Sequence, residues 1–293
     1  MSIPRAGAPV RDALPVAGAS RGQEDNQDNQ AGGWRVITKA CKPKWVSTLQ
    51  DIETPSGMIS AYVARPDGLV KGGLVLIHEV WGLVGHTRDV ADRFAREGYV
   101  VVAPDLLADQ GITEESTAGP GEAVTGPDAE ARNQAQPKLR ALLAPLQSPE
   151  FGALTTERVR ACFSFLHEDA GAAGRVGIIG FCFGGTYSFS LAVAEPRLMA
   201  CVSFYGPAHF ADEELAGISA PVLAFYGEDD DALIKALPAL ESSMTAAGVD
   251  FTARVYPGAG HAFFNDSNRF AYRPDAAADA WSLTLDFLAR HIA

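Results

Sequence analysis

No apolar run in this 293-residue chain approaches the length of a membrane span, so a helical membrane protein is excluded as a first reading. The opening stretch, MSIPRAGAPVRDALPVAG, lacks the charged-then-apolar pattern of a secretory signal, and export is not indicated. Cysteine is scarce: Cys41, Cys162, Cys182 and Cys201 are the four present, none in a C-x-x-C pair and none at metal-ligand spacing. Free thiols in a reducing cytoplasm are the expectation, with no metal and no organic cofactor. Basic residues are also short. The net charge of −12 makes nucleic acid or an anionic membrane surface a poor partner, since both would be repelled. Internal repeats are absent, and nothing marks a second folded domain. Residues 1–33 contain no aromatic residue and carry the run GQEDNQDNQAGG, so they bury too little to offset their ordering entropy and read as a disordered tail. The folded domain is expected over 34–293, where a chain that is 47% hydrophobic can build a sizeable core. The sequence says nothing of oligomeric state.

Within that domain, Val46–Thr54 and Met58–Arg65 flank the turn signal Pro55-Ser56-Gly57 and predict a β-hairpin. Continuous apolar runs at Gly73–Ile77, Tyr99–Ala103, Val176–Gly180, Ala200–Tyr205 and Val222–Tyr226 suit strands buried on both faces, and Phe251–Tyr256 adds another. Helical patterns fall at Thr87–Glu97, Ala129–Leu146, Thr156–His167, Gly184–Ala194, Leu233–Ala247 and Ala276–Ile292. The acidic stretch 109–128, with its glycines and prolines, reads as a long loop. Alternation of strand and helix predicts an α/β fold with a mostly parallel central sheet and helices on both faces.

The most informative segment is Gly180-Phe181-Cys182-Phe183-Gly184-Gly185, a G-x-nucleophile-x-G turn between a predicted strand and a predicted helix. Glycines leave room for a sharp turn, which lifts the sulfur to the carboxyl edge of the sheet. There the helix N-terminus favours a thiolate. Cys162 in a helix and Cys201 in a strand read instead as inert core residues, and Cys41 as an exposed thiol. A nucleophile of this kind needs a base and a group that orients the base, in the chain order nucleophile, acid, histidine. Strand Val222–Tyr226 runs into Gly227-Glu228-Asp229-Asp230-Asp231, and Phe251–Tyr256 into Pro257-Gly258-Ala259-Gly260-His261. His261 is therefore the candidate base. Asp230 is the candidate acid, with Asp229 second.

These segments, together with His78-Glu79-Val80-Trp81-Gly82 and Gly258-Ala259-Gly260-His261-Ala262-Phe263, resemble the dienelactone hydrolase family, which includes carboxymethylenebutenolidase-like enzymes. The likeness runs from about Val46 to the C-terminus, and a cysteine in place of the usual serine is its most discriminating feature. It implies an α/β-hydrolase fold, a Cys182–His261–Asp230 triad, and a glutamate, Glu79, that holds the cysteine proton at rest. It also implies an oxyanion hole made by the amides of Val80 and Phe183. Where members of the family carry an arginine four residues past the histidine, this chain has Asn265. Trp81, a pocket wall or a core residue, and Arg88, a cation that meets substrate or pairs with an acid, are the candidate substrate contacts.

The expected activity is cleavage of a small-molecule ester or lactone through an acyl-thioester, with His261 activating water for the second step. The alternatives are a general carboxylesterase or thioesterase on the same scaffold, a non-catalytic binding protein, and a redox-responsive thiol.

Overall fold

The computed structural model describes residues 45–293 with the exception of Pro127. The expected tail over 1–33 and the thiol of Cys41 lie outside the described residues.

Strands β1 (Trp45–Thr54) and β2 (Gly57–Pro66) form the expected hairpin, with Thr54 paired to Gly57 across the two-residue turn. Gly57 has φ +115°, a backbone region that side chains other than glycine's rarely tolerate. Six further strands follow: β3 (Gly72–Ile77), β4 (Tyr99–Pro104), β5 (Val176–Phe181), β6 (Ala200–Phe204), β7 (Val222–Gly227) and β8 (Phe251–Tyr256). The eight make one sheet in the order β1-β2-β4-β3-β5-β6-β7-β8. Pairings β1–β2 and β2–β4 are antiparallel, and the rest are parallel. Every residue of β3 to β7 is buried, as their unbroken apolar character requires of strands covered on both faces.

The cover comes from two helical layers. On one face lie α1 (Gly85–Arg96) and α8 (Pro274–His291), packed on Leu74, Leu76, Ile179 and Val202; the Phe94 and Trp281 rings meet at 4.4 Å between them. On the other lie α4 (Pro149–His167), α5 (Phe183–Ala194) and α7 (Asp231–Ala246), packed on Val75, Ile77, Ile178 and Ala224. Successive strand residues feed opposite layers because side chains alternate across a pleated strand. Among the described residues no helix is long and apolar enough to cross a membrane.

The stretch 109–128 corrects the sequence reading. Most of it is helix α2 (Glu114–Thr125), which packs against α3 (Ala129–Leu143). Thr113 and Ser116 cap α2 reciprocally, each hydroxyl accepting from the other's amide, and Glu114 and Glu115 occupy its first turn. Capping together with acidic charge at the positive helix end outweighs the glycine and proline content that suggests a loop. A short 3-10 turn (Ala144–Gln147) and the remaining short helix, α6 (Asp212–Leu215), complete the element list that bears on the site.

Strand order places the site. The chain leaves β3 for β4 on one side and takes up β5 on the other. The carboxyl ends of β3 and β5 thus flank the point where connections diverge, which is where open α/β sheets hold their ligands.

Candidate active site

Cys182 sits in the turn from β5 into α5 with φ +54° and ψ −111°, a conformation that a cysteine adopts only when its surroundings enforce it. The enforcement is visible. Its amide donates to the Phe204 carbonyl at 2.9 Å, and its carbonyl accepts from Thr186 at 3.2 Å. A methyl group on Gly180 would lie 1.9 Å from the Gly184 oxygen, and one on Gly184 would lie 2.3 Å from the Ile77 oxygen. Only glycine at both positions permits the turn. By contrast Cys162 and Cys201 are fully buried, and burial pushes both thiols up, that of Cys162 to about 12.

The loops after β7 and β8 are laced together. The Asp229 amide donates to the Ala259 carbonyl at 2.9 Å, Glu228 donates to the Tyr256 carbonyl at 3.0 Å, and the Glu228 carboxylate accepts from Gly258 at 3.2 Å. Gly227 is required because a Cβ there would lie 2.4 Å from the Ala259 oxygen. This lacing brings the Asp230 carboxylate to 2.5 Å from His261 Nδ1. Asp229 is exposed and takes no part in that bond. Burial works against protonation of the His261 ring. It is outweighed by the Asp230 hydrogen bond and by contact with the Cys182 sulfur, so the imidazole is pushed up to about 10.

The loop after β3 is fixed by His78. Its Nδ1 meets the Glu79 carbonyl at 2.6 Å and its Nε2 accepts from the Leu106 amide at 3.2 Å, so the proton resides on Nδ1. The His78 carbonyl accepts from Gly184 at 3.1 Å, tying this loop to the turn that carries Cys182. Phe183 stacks on the His78 ring at 5.7 Å. Among the described residues the amides of Val80 and Phe183 donate to no protein acceptor, and both residues line the cavity at Cys182.

Burial pushes His78 down to about 4. The unfolded chain takes up that proton near 6.5, so stability is whole above pH 6.5 and falls as pH drops toward 4. The loss is on the order of 3 kcal/mol across that window. His78→Gln keeps a donor and an acceptor but does not titrate. Urea unfolding of wild type and variant at pH 7.5 and 5.0 is expected to show a smaller acid loss in the variant; an equal loss in both rules His78 out as the cause.

The Glu79 carboxylate is buried and doubly held. Tyr205 donates to Oε1 at 3.2 Å and Asn265 to Oε2 at 2.7 Å. Asn265 is itself oriented by Ser267, whose amide and hydroxyl donate to its Oδ1 at 3.1 and 2.6 Å. Tyr205 follows β6 with φ +41°, and its ring lies 5.0 Å from that of His261. Sequence reasoning missed Tyr205 and gave Asn265 no task. The signal for Tyr205 was its place just past a strand end on the same rim as the other site residues.

The two candidate substrate contacts part company. Trp81 lines a cavity of about 480 Å³ together with Glu79, Cys182 and His261. Arg88 is not brought there. Its guanidinium donates to the Leu83 carbonyl and to Glu114, each at 2.8 Å, and it lines neither cavity that contains Cys182. The helix cap region that sequence reasoning took for loop supplies its partner. No group of three His, Cys, Asp or Glu side chains among the described residues is arranged to hold a metal ion.

The model of the dienelactone hydrolase family matches residues 59–292, and the motifs that carry the likeness are the ones assembled at this rim. The chain belongs to the dienelactone hydrolase family. A Synechocystis protein provisionally named a carboxymethylenebutenolidase is 31% identical over 250 residues, covering 80% of this chain and 93% of the relative. A Saccharolobus solfataricus protein of the same provisional name is 29% identical over 253 residues, covering 81% and 96%. A crystal structure from Klebsiella pneumoniae, provisionally described as a dienelactone hydrolase, superposes with a TM-score of 0.70 at 27% identity, covering 84% of this chain and 99% of that one. Membership in the dienelactone hydrolase family makes this chain a hydrolase of carboxylic esters or lactones and confirms the expected α/β-hydrolase fold.

Proposed function

We propose that this chain hydrolyses esters or lactones by acyl transfer through Cys182, with His261 as proton carrier and Asp230 as its orienting acid. The observation that carries the reading is a cysteine held at positive φ on a helix N-terminus, lining the same two cavities as an imidazole whose Nδ1 is bound to a carboxylate. His261 Nδ1 is committed to Asp230, so Nε2 is the nitrogen that serves the sulfur. Nε2 takes the thiol proton as the sulfur attacks.

Attack forms the C–S bond and moves the carbonyl π electrons to oxygen, where the amides of Val80 and Phe183 receive the negative charge. Collapse breaks the C–O bond, and the departing alkoxide or enolate takes the proton from His261 Nε2. Part of what holds that proton is the sulfur's own charge, which is lost once the sulfur is acylated. The imidazole then serves as base: it takes a proton from water, hydroxide adds to the thioester, and the thiolate leaves. Glu79, engaged by Tyr205 and Asn265, is read as a positioning residue for the loop that carries Val80.

Acid quenching during turnover of an activated ester, followed by peptide mass spectrometry, tests the covalent step. The peptide containing Cys182 should carry the mass of the acyl group. An acyl adduct on another residue, or steady turnover with none trapped in single-turnover sampling, would remove the thioester from the scheme.

A further inference from the structure

Taking the hydrolase reading as given, we infer that the substrate is an uncharged ester with an extended hydrophobic arm, and that the site selects against an arm ending in a carboxylate. The observations are the walls around the nucleophile. Beside the 480 Å³ cavity, a second and larger one of about 860 Å³ opens at Cys182 and His261. Its sides are Leu143 and Leu146 at the end of α3 and the turn after it, and Leu233, Leu237 and Leu240 from α7. That volume suits a ligand well beyond the size of an acetyl group.

Among the described residues neither cavity is lined by an arginine or a lysine. Arg88 is paired with Glu114, Arg93 with Asp89 and Asp266, and Arg158 with Asp109, while Arg269 lies over the ring of Phe270 at the wall of the smaller cavity. The charged side chains that do line the two cavities include the carboxylates of Asp230 and Glu79. A substrate carboxylate here would lose its water, find no cation but the His261 imidazolium that Asp230 already pairs, and face like charge, each of which opposes binding. An alkyl arm loses nothing on leaving water, and each buried methylene improves binding by about two- to fourfold.

The test uses the purified full chain and two ester series. In one the acyl group of a p-nitrophenyl ester is lengthened from acetyl to octanoyl; in the other the alkyl group of an acetate ester is lengthened from ethyl to octyl. A matched ester whose long arm ends in a free carboxylate completes the set, and Cys182→Ala supplies the blank. The expected result is a kcat/KM that climbs at least tenfold along one series, with the carboxylate-tipped ester at least a hundredfold below its neutral match. Leu240→Arg, which adds a cation at the cavity wall, should narrow that gap by tenfold or more; the wild-type comparison stands whether or not this variant folds. Cys182-dependent hydrolysis that is flat with length in both series, or that favours the carboxylate, overturns the inference and leaves the reaction intact. An absence of Cys182-dependent hydrolysis with every ester overturns both.

Discussion

Cys182→Ala is expected to reduce ester hydrolysis by about five to six orders of magnitude in kcat, the scale seen when the nucleophile of a concerted triad is removed. The size follows from the chemistry. Without the sulfur no covalent intermediate forms, and what remains is water attacking an ester that the oxyanion donors and cavity only hold in place. The substitution is gentle on the fold. Alanine at φ +54° bears the same backbone strain that cysteine bears, and the bonds that set the turn, from Cys182 N to the Phe204 carbonyl and from Thr186 N to the Cys182 carbonyl, use main-chain atoms only. Unchanged circular dichroism and thermal unfolding alongside lost turnover would assign the effect to the sulfur. Retention of more than about a hundredth of wild-type kcat would mean that another group performs the attack.

Asp230→Asn is expected to lower kcat by about three to four orders of magnitude, as loss of the orienting carboxylate does in other triads. Two effects combine. An asparagine amide can present its N–H₂ to Nδ1, which leaves the ring's hydrogen on Nε2, pointing at the sulfur in the wrong tautomer for a base. The substitution also removes one of the two partners that keep His261 protonated up to about 10, so the inflection that belongs to the imidazole moves to lower pH. Measuring kcat and kcat/KM from pH 5 to 10 for wild type, Asp230→Asn and Asp229→Asn separates orientation from general charge. Asp229 is exposed and is not bonded to the ring, so its variant should stay within about twofold of wild type, as surface substitutions usually do. Equal losses in the two variants would reject Asp230 as the orienting acid.

Much of this architecture is written locally. Strands β3 to β7 are legible because burial on both faces demands unbroken apolar runs, and the β1–β2 hairpin because Pro55-Ser56-Gly57 can do little but turn. The turn at Cys182 is legible because only glycine fits where a Cβ would lie as close as 1.9 Å to the backbone. What stays hidden depends on partners far away in the chain. Tyr205 acquires its task from Glu79, 126 residues earlier, and Asn265 from the same carboxylate 186 residues earlier. Arg88 looks like an available cation until α2 supplies Glu114. Helix α2 was obscured for a different reason: Gly119-Pro120-Gly121 argues for a break, while the capping exchange between Thr113 and Ser116 argues for a start, and composition weighs the first more heavily than the second. Choosing between Asp229 and Asp230 needs the geometry of a turn, where one position rotates a side chain to the opposite side.

The groups proposed to react, with the residues that position them, and the cavity walls belong to different parts of the molecule. Cys182, Glu79, Tyr205, Asp230 and His261 all ride on segments leaving strands at one rim, whereas the leucines that shape the larger cavity come from α3, the turn after it, and α7. Selectivity and chemistry are therefore separable: a change in a few helical leucines can redirect which molecules are accepted while the segments proposed to break the bond are left untouched.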